Sequence, residues 1–166
     1  MAATSLAAPT RGDSSDIHRF RAFLHDGFPG AHGYVLLLGL DTFDLPDLLV
    51  ALAKGFGYGA FERLQRNTGL PVDTLLTLVG LPRRTLTRRK VEGRFLPDES
   101  DRLLRASRLV ARALELFEGD LPAAVDWLTA AQPALGGATP LALASTDVGA
   151  REVERLILRL EHGVFS

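Results

Sequence analysis

Three times between residues 71 and 119 the chain opens a segment with proline and closes it with glycine, and this punctuation restricts its fold more than any other feature. Proline suits the first turn of a helix, where its missing N–H goes unneeded, and glycine takes the left-handed conformation that ends one. Pro71 and Asp73 open Val72 to Val79, and Gly80 closes it. Pro82 opens a stretch that runs through Val91 and ends at Gly93. Leu96-Pro97-Asp98-Glu99-Ser100-Asp101 opens a longer one that stops at Gly119, its clustered acids opposing the positive end of the helix macrodipole. Along that longer segment Leu103, Leu104, Val110, Ala113, Leu114 and Phe117 form a broad stripe at helical spacing. The stripe fits either packing within the chain or a dimer interface.

The flanks read the same way. Ile17, Phe20, Phe23 and Leu24 predict a helix from Asp16 to Leu24, stopped by Gly27, Pro29 and Gly30. Leu45 to Ala53 is a helix with Pro46 in its first turn, Gly55 to Gly59 breaks it, and Phe61 to Arg66 forms another. Pro122 to Leu128 is anchored by Trp127 and Leu128, Thr139-Pro140 caps a short helix, and Val153, Leu156, Ile157 and Leu160 mark a last helix from about Gly149 to His162. Tyr34 to Leu40 is too short to separate a strand from a buried turn. No sheet and no internal repeat is legible, so the expected fold class is all-α, with a central helix-turn-helix unit and a C-terminal helical domain. The expected division is a disordered leader over 1–16, an N-terminal helical region over 17–94, and a second domain over 95–166.

With 166 residues and 46% hydrophobic content the chain can bury a real core. The absence of cysteine excludes disulfides and thiolate metal sites and fits a reducing compartment. The longest apolar run, Val35 to Leu40, is far short of the roughly 20 residues of a bilayer span. Met1 to Asp16 has no continuous apolar core of a secretory signal, so the expected location is cytoplasmic. A net charge of −1 means that any nucleic-acid surface has to come from a local cluster.

Such a cluster is Pro82-Arg83-Arg84-Thr85-Leu86-Thr87-Arg88-Arg89-Lys90-Val91-Glu92-Gly93-Arg94. On a helix beginning at Pro82, Leu86 and Lys90 fall on one side with Val91 adjacent, while Arg84, Thr85, Arg88 and Arg89 project toward the other. Helix-turn-helix recognition needs a first helix packed across the second, a tight turn, and a second helix whose N-terminal residues reach base edges. Val72 to Gly80 supplies the first helix and the turn. On this reading Arg83, Arg84, Thr85 and Thr87 lie nearest the bases, and Arg88, Arg89, Lys90 and Arg94 meet phosphates. A homodimer on a palindromic operator is the expected form. The open alternative is a solvated arginine face, or arginines paired with the acids of Asp98 to Asp101.

Beyond the opening of the long segment, Leu96 to Arg105, come Ala123-Ala124-Val125-Asp126-Trp127-Leu128, then Pro133 to Leu141, then Gly149-Ala150-Arg151-Glu152-Val153-Glu154, and finally Leu160-Glu161-His162-Gly163-Val164-Phe165-Ser166. Their order and spacing resemble the Xre/MbcA/ParS toxin-binding domain, and the preceding helix-turn-helix resembles the Xre-like half of the same proteins. The resemblance implies a type II antitoxin, not an enzyme and without a cofactor of its own. It implies as partner a RES-domain toxin, which uses NAD by degrading it or by transferring ADP-ribose. It further implies that the C-terminal domain covers the toxin's NAD cleft and that the complex represses its own promoter. The residues agree with that role. Leu156, Ile157 and Leu160 anchor the last helix and leave Arg155, Arg159, Glu161 and His162 outward, with Gly163 as cap and Val164-Phe165-Ser166 beyond it. An apolar aromatic at an exposed terminus suits a partner's pocket. The alternative is that Val164 and Phe165 fold back over their own core. The chain departs from the family at its front, where the leader matches nothing and Gly55 to Gly59 is unusually glycine-rich.

Other chemistries are weaker. Gly55, Gly57 and Ala60 satisfy a G-x-G-x-x-G/A pattern, but a helix precedes them where a dinucleotide site needs a strand. His18, His25 and His32 recur every seven residues, yet Gly27 and Pro29 interrupt the helix that would align them. His162 lacks a nucleophile motif, Asp98, Glu99 and Asp101 are explained as first-turn charges, and Trp127 is a core anchor. Two further functions compete with the antitoxin: a stand-alone helix-turn-helix regulator whose C-terminal half only dimerises, and a helical enzyme or ligand-binding module, which has no catalytic constellation behind it.

Overall fold

The computed structural model describes residues 15–27 and 32–163. Its helices are α1 (Ser15–Asp26), α2 (Leu45–Lys54), α3 (Gly59–Thr68), α4 (Val72–Val79), α5 (Arg83–Glu92), α6 (Pro97–Leu116), α7 (Leu121–Thr129), α8 (Pro140–Leu143) and α9 (Asp147–Glu161). Two 3-10 segments, Gly33–Leu38 and Pro133–Leu135, join them. The fold is all-α, and among the described residues the only strand-like contact is an isolated antiparallel bridge between Gly57 and Arg94. Among the described residues no helix is long and apolar enough to cross a membrane.

The organising element is α6. Leu103, Leu104, Ala106, Leu109, Val110, Ala111, Ala113 and Leu114 are all buried, which puts apolar side chains around more than half of its circumference. A helix apolar on so many sides has to lie inside the molecule. It does, packing against the first 3-10 segment, α2, α3, α4, α7 and α9. The Leu103 to Leu114 part of the stripe is therefore consumed within the chain and is not a dimer interface.

Of the two alternatives for Tyr34 to Leu40, a strand or a buried turn, Val35 to Leu38 takes the second. It is a 3-10 helix with every one of those side chains buried, wedged between α1, α3 and α6 and closed by Gly39 in the left-handed conformation. Four consecutive apolar residues need neighbours on all sides, which a two-faced edge strand could not supply here.

Asp16, the last residue of the expected leader over 1–16, belongs to α1. That residue is 2% exposed within α1, and its carboxylate accepts hydrogen bonds from Nε and Nη2 of Arg63 at 2.8 and 2.7 Å and from the side-chain amide of Asn67 at 3.0 Å. Asn67 also donates to the Leu37 carbonyl at 2.8 Å, so one buried carboxylate joins α1, α3 and the 3-10 segment.

The glycine-rich approach to the basic helix has a steric cause. Gly55 has φ +78°, and a Cβ there would stand 2.0 Å from the Phe95 carbonyl oxygen. The close approach lets the Phe95 amide donate to Phe56 at 2.8 Å and the Tyr58 amide donate to Gly93 at 2.9 Å. The end of α2 is thereby pinned to the end of α5.

Candidate functional site

The three residues between α4 and α5 form a tight turn. Gly80 adopts φ +70°, its amide donates to Leu76 at 2.8 Å, and the Leu81 amide donates to the same carbonyl at 3.1 Å while the Leu81 side chain is buried. This doubly bonded ending fixes the angle at which the chain leaves α4. Two arginines brace it from outside. Arg83 pairs with Asp73 of α4, and Arg102 of α6 donates to the Gly80 carbonyl at 2.9 Å.

The second helix of the unit rests on two side chains, Leu86 and Arg89. Here the structure corrects the sequence. Arg89 does not face phosphates: it is 4% exposed, and its Nε and Nη2 donate to the two carboxylate oxygens of Glu99 at 2.7 and 2.9 Å, with a further contact to Glu92. Lys90 and Val91, expected on the inward side or beside it, are exposed, Val91 at 86%. The helix is rotated relative to the expectation because a fully partnered guanidinium takes a core position that hydropathy would assign elsewhere. The pairing of one arginine with the acids of the next helix, left open by the sequence, holds for Arg89. Glu99 feels burial, which pushes its carboxyl up, but the hydrogen bonds from Arg89 and the Leu96 amide and the charges of Arg89 and Arg88 outweigh it, and its pKa is lowered. Its hydrogen bonds to Glu99 and Glu92 hold Arg89 above its ordinary pKa.

What remains outward on α5 is Arg84, Thr87, Arg88 and Val91, with Arg83 and Lys90 flanking and Thr85 half-buried. Arg84, Arg88 and Lys90 make no ion pair with the described residues, and the first turn of α5 contains no acid. Arg94 lies past the helix and turns its guanidinium to the carbonyls of Lys54 and Gly55 at the end of α2.

At the other end, α9 buries Ala150, Val153, Leu156 and Ile157, with Leu160 half-buried. It starts at Asp147, earlier than the expected Gly149, because the Thr146 hydroxyl caps it by accepting from the Gly149 amide at 3.1 Å. Three ion pairs tie α9 to α6: Asp147 with Arg105, Glu154 with Arg108 at 2.7 Å, and Glu161 with Arg112 at 3.1 Å. Glu161 is thus held by α6 instead of standing free. His162 donates from Nδ1 to the Leu158 carbonyl at 2.8 Å, and Gly163 has the expected left-handed φ, +65°. Arg155 is exposed and paired with Glu152 at 2.5 Å, and Arg159 is exposed. Val148 and Leu158, 73% and 45% exposed, share that outward face with Arg151 and escaped the sequence reading. Continuing the helical register outward from Arg155 would have found them. Val164, Phe165 and Ser166 lie outside the described residues.

Comparison with known proteins falls onto these same two surfaces. Residues 47–108 match the antitoxin Xre-like helix-turn-helix domain, and residues 112–163 match the antitoxin Xre/MbcA/ParS C-terminal toxin-binding domain. The two matched segments meet inside α6. An "Antitoxin Xre" of Yersinia enterocolitica is 39% identical over 120 residues, covering 72% of this chain and 81% of that protein. One of Photorhabdus laumondii is 31% identical over 141 residues, covering 84% and 87%, and one of Pseudomonas putida is 34% identical over 84 residues, covering 50% and 52%. These relatives are named antitoxins, not enzymes. With both segments matched in order and two relatives of 39% and 31% identity matched over most of their length, the chain belongs to the Xre/MbcA/ParS antitoxin family.

Proposed function

We propose that the chain neutralises a RES-domain toxin by covering its NAD cleft with the C-terminal part, 95–166, and that the helix-turn-helix of the N-terminal part, 17–94, binds the operator of its own promoter as a two-fold dimer in the cytoplasm. The observation that carries this reading is the separation of two outward surfaces on one core. One is the outward face of α5, where Arg84 and Arg88 stand unpaired among the described residues, with Arg83 and Lys90 at its edges. The other is the outer face of α9, where Arg155, Arg159, Val148 and Leu158 lead to His162 and Gly163; Val164-Phe165-Ser166, expected to join the toxin contact, follow in the sequence. Arg89 has no part in the DNA contact, and Glu161 acts through α6. The choice of a RES toxin and of its NAD cleft rests on the family resemblance.

The test is a truncation of Val164 to Ser166, co-expressed with the RES-domain reading frame expected beside this gene. Neutralisation should weaken while operator binding stays intact. Full rescue of growth by the truncated chain would remove the tail from the inhibitory contact. Failure of the full-length chain to bind any RES-type protein, with operator binding retained, would favour the stand-alone regulator.

A further inference from the structure

One helix is apolar on the side it shows to solvent. Leu48 of α2 points into the core at 2% exposure and Ala51 and Leu52 are half-buried, so the opposite face is Leu45, Pro46, Leu49, Val50 and Ala53. All five are exposed, the three large ones at 52%, 54% and 53%. The other exposed large apolar residues, Val91, Leu96, Val148 and Leu158, are scattered over α5, the start of α6 and α9. Solvated helices put charge on their outer face, and a contiguous apolar patch marks a contact.

We propose that this face of α2 is where two copies of the chain meet, helix against helix and antiparallel about a two-fold axis. The flanks identify the occupant. Along one side of the patch Asp47 and Lys54 lie two helical turns apart, about 10 Å, with exposed side chains and opposite charge. A two-fold axis perpendicular to a pair of antiparallel helices brings like flanks together, so residues whose numbers sum to a constant stand opposite one another. With the axis between Val50 and Ala51, Asp47 of each copy faces Lys54 of the other, and on the opposite, apolar flank Leu49 faces Leu52. The patch is thus self-complementary in charge as well as in hydropathy. Beside it a shallow hollow of about 340 Å³, lined by Asp47, Val50, Ala51, Lys54, Phe56 and Arg94, brings a second cation to the flank on which the partner's Asp47 would land. With the α6 stripe buried inside the chain, α2 is the helix that can supply a symmetric apolar seam.

This deepens the operator-bound dimer and rests on that reading for its purpose, but the association can be measured without DNA or toxin. Sedimentation of the purified full chain at micromolar concentration should give twice the chain mass. Leu49→Glu and Val50→Glu should each weaken the dimer by at least roughly tenfold in Kd while melting like the wild type, and Val148→Glu on α9 should leave it unchanged. Asp47→Lys should weaken association by setting two like charges opposite each other, and the double exchange Asp47→Lys with Lys54→Asp should restore it. A monomeric wild type, a dimer indifferent to Leu49→Glu and Val50→Glu, or a double exchange that restores nothing would overturn the assignment. So would a Leu49→Glu chain that stays dimeric but no longer binds its toxin, since the face would then belong to the toxin.

Discussion

A guanidinium survives burial only where a carboxylate meets it squarely, and Arg89 with Glu99 satisfies that condition between α5 and α6. Because the pKa of Glu99 is lowered on folding, its ionised form stabilises the protein above its ordinary value near 4.5, and that contribution is lost as pH falls through the folded-state value. Arg89, held above its ordinary value, stays charged over this range. Glu99→Gln should therefore lower Tm at neutral pH, by leaving Arg89 buried without a counter-ion, and should flatten the acid limb of a Tm–pH curve. An acid limb as steep as that of the wild type would remove Glu99 from this role. On the outer side of the same helix, Arg84→Ala or Arg88→Ala should reduce operator affinity roughly tenfold. For every phosphate that such a substitution leaves without its cation, the slope of log K against log salt should fall in magnitude by about 0.9. Neutralisation of the toxin should not change. The sequence displays the extent of α5 through Pro82 and Gly93 but not its rotation. Hydropathy ranks Lys90 and Arg89 alike, and only a partner ten residues away, Glu99, decides which one turns inward.

At the scale of elements, most helix ends are legible because proline, glycine and capping side chains act locally. Where a boundary differs, a capping side chain sets it, as Thr146 does for α9. Gly149 in the first turn of that helix shows how tightly α8 and α9 abut, since a Cβ there would lie 1.8 Å from the Leu143 carbonyl oxygen. Removing the cap with Thr146→Ala should cost about 1 kcal/mol. Gly149→Ala should cost more than the missing cap, because backbone has to move. Urea titration of the two variants orders them, and a Gly149→Ala protein as stable as Thr146→Ala would refute the close packing of α8 on α9. The 3-10 segment Gly33–Leu38 is not legible because its apolar run carries no period. What specifies it is the pocket that α1, α3 and α6 close around it. On α9 the buried face is legible from Val153, Leu156 and Ile157, but the latch between Glu161 and Arg112 is not, since it spans two helices 49 residues apart in sequence.

Among the described residues a connected core runs from Ile17 in α1 to Ile157 in α9, and α6 passes through it. Unfolding should accordingly be a single transition with equal calorimetric and van't Hoff enthalpies. A chain cut after Ala111, where the two family-matched segments adjoin, should yield no folded half, because each piece would expose a wall of α6 that the other covers. Two separate melting transitions in the intact protein, or a stable 15–111 fragment, would contradict this. The shared strut also governs how such proteins can be recombined. A chimaera that takes its helix-turn-helix part from one relative and its toxin-binding part from another, joined at the seam in α6, inherits a helix whose turns were shaped against two different sets of neighbours. Working hybrids have to carry α6 whole from one parent and repack it against the incoming half, so the two specificities of such a protein travel together unless the helix between them is redesigned.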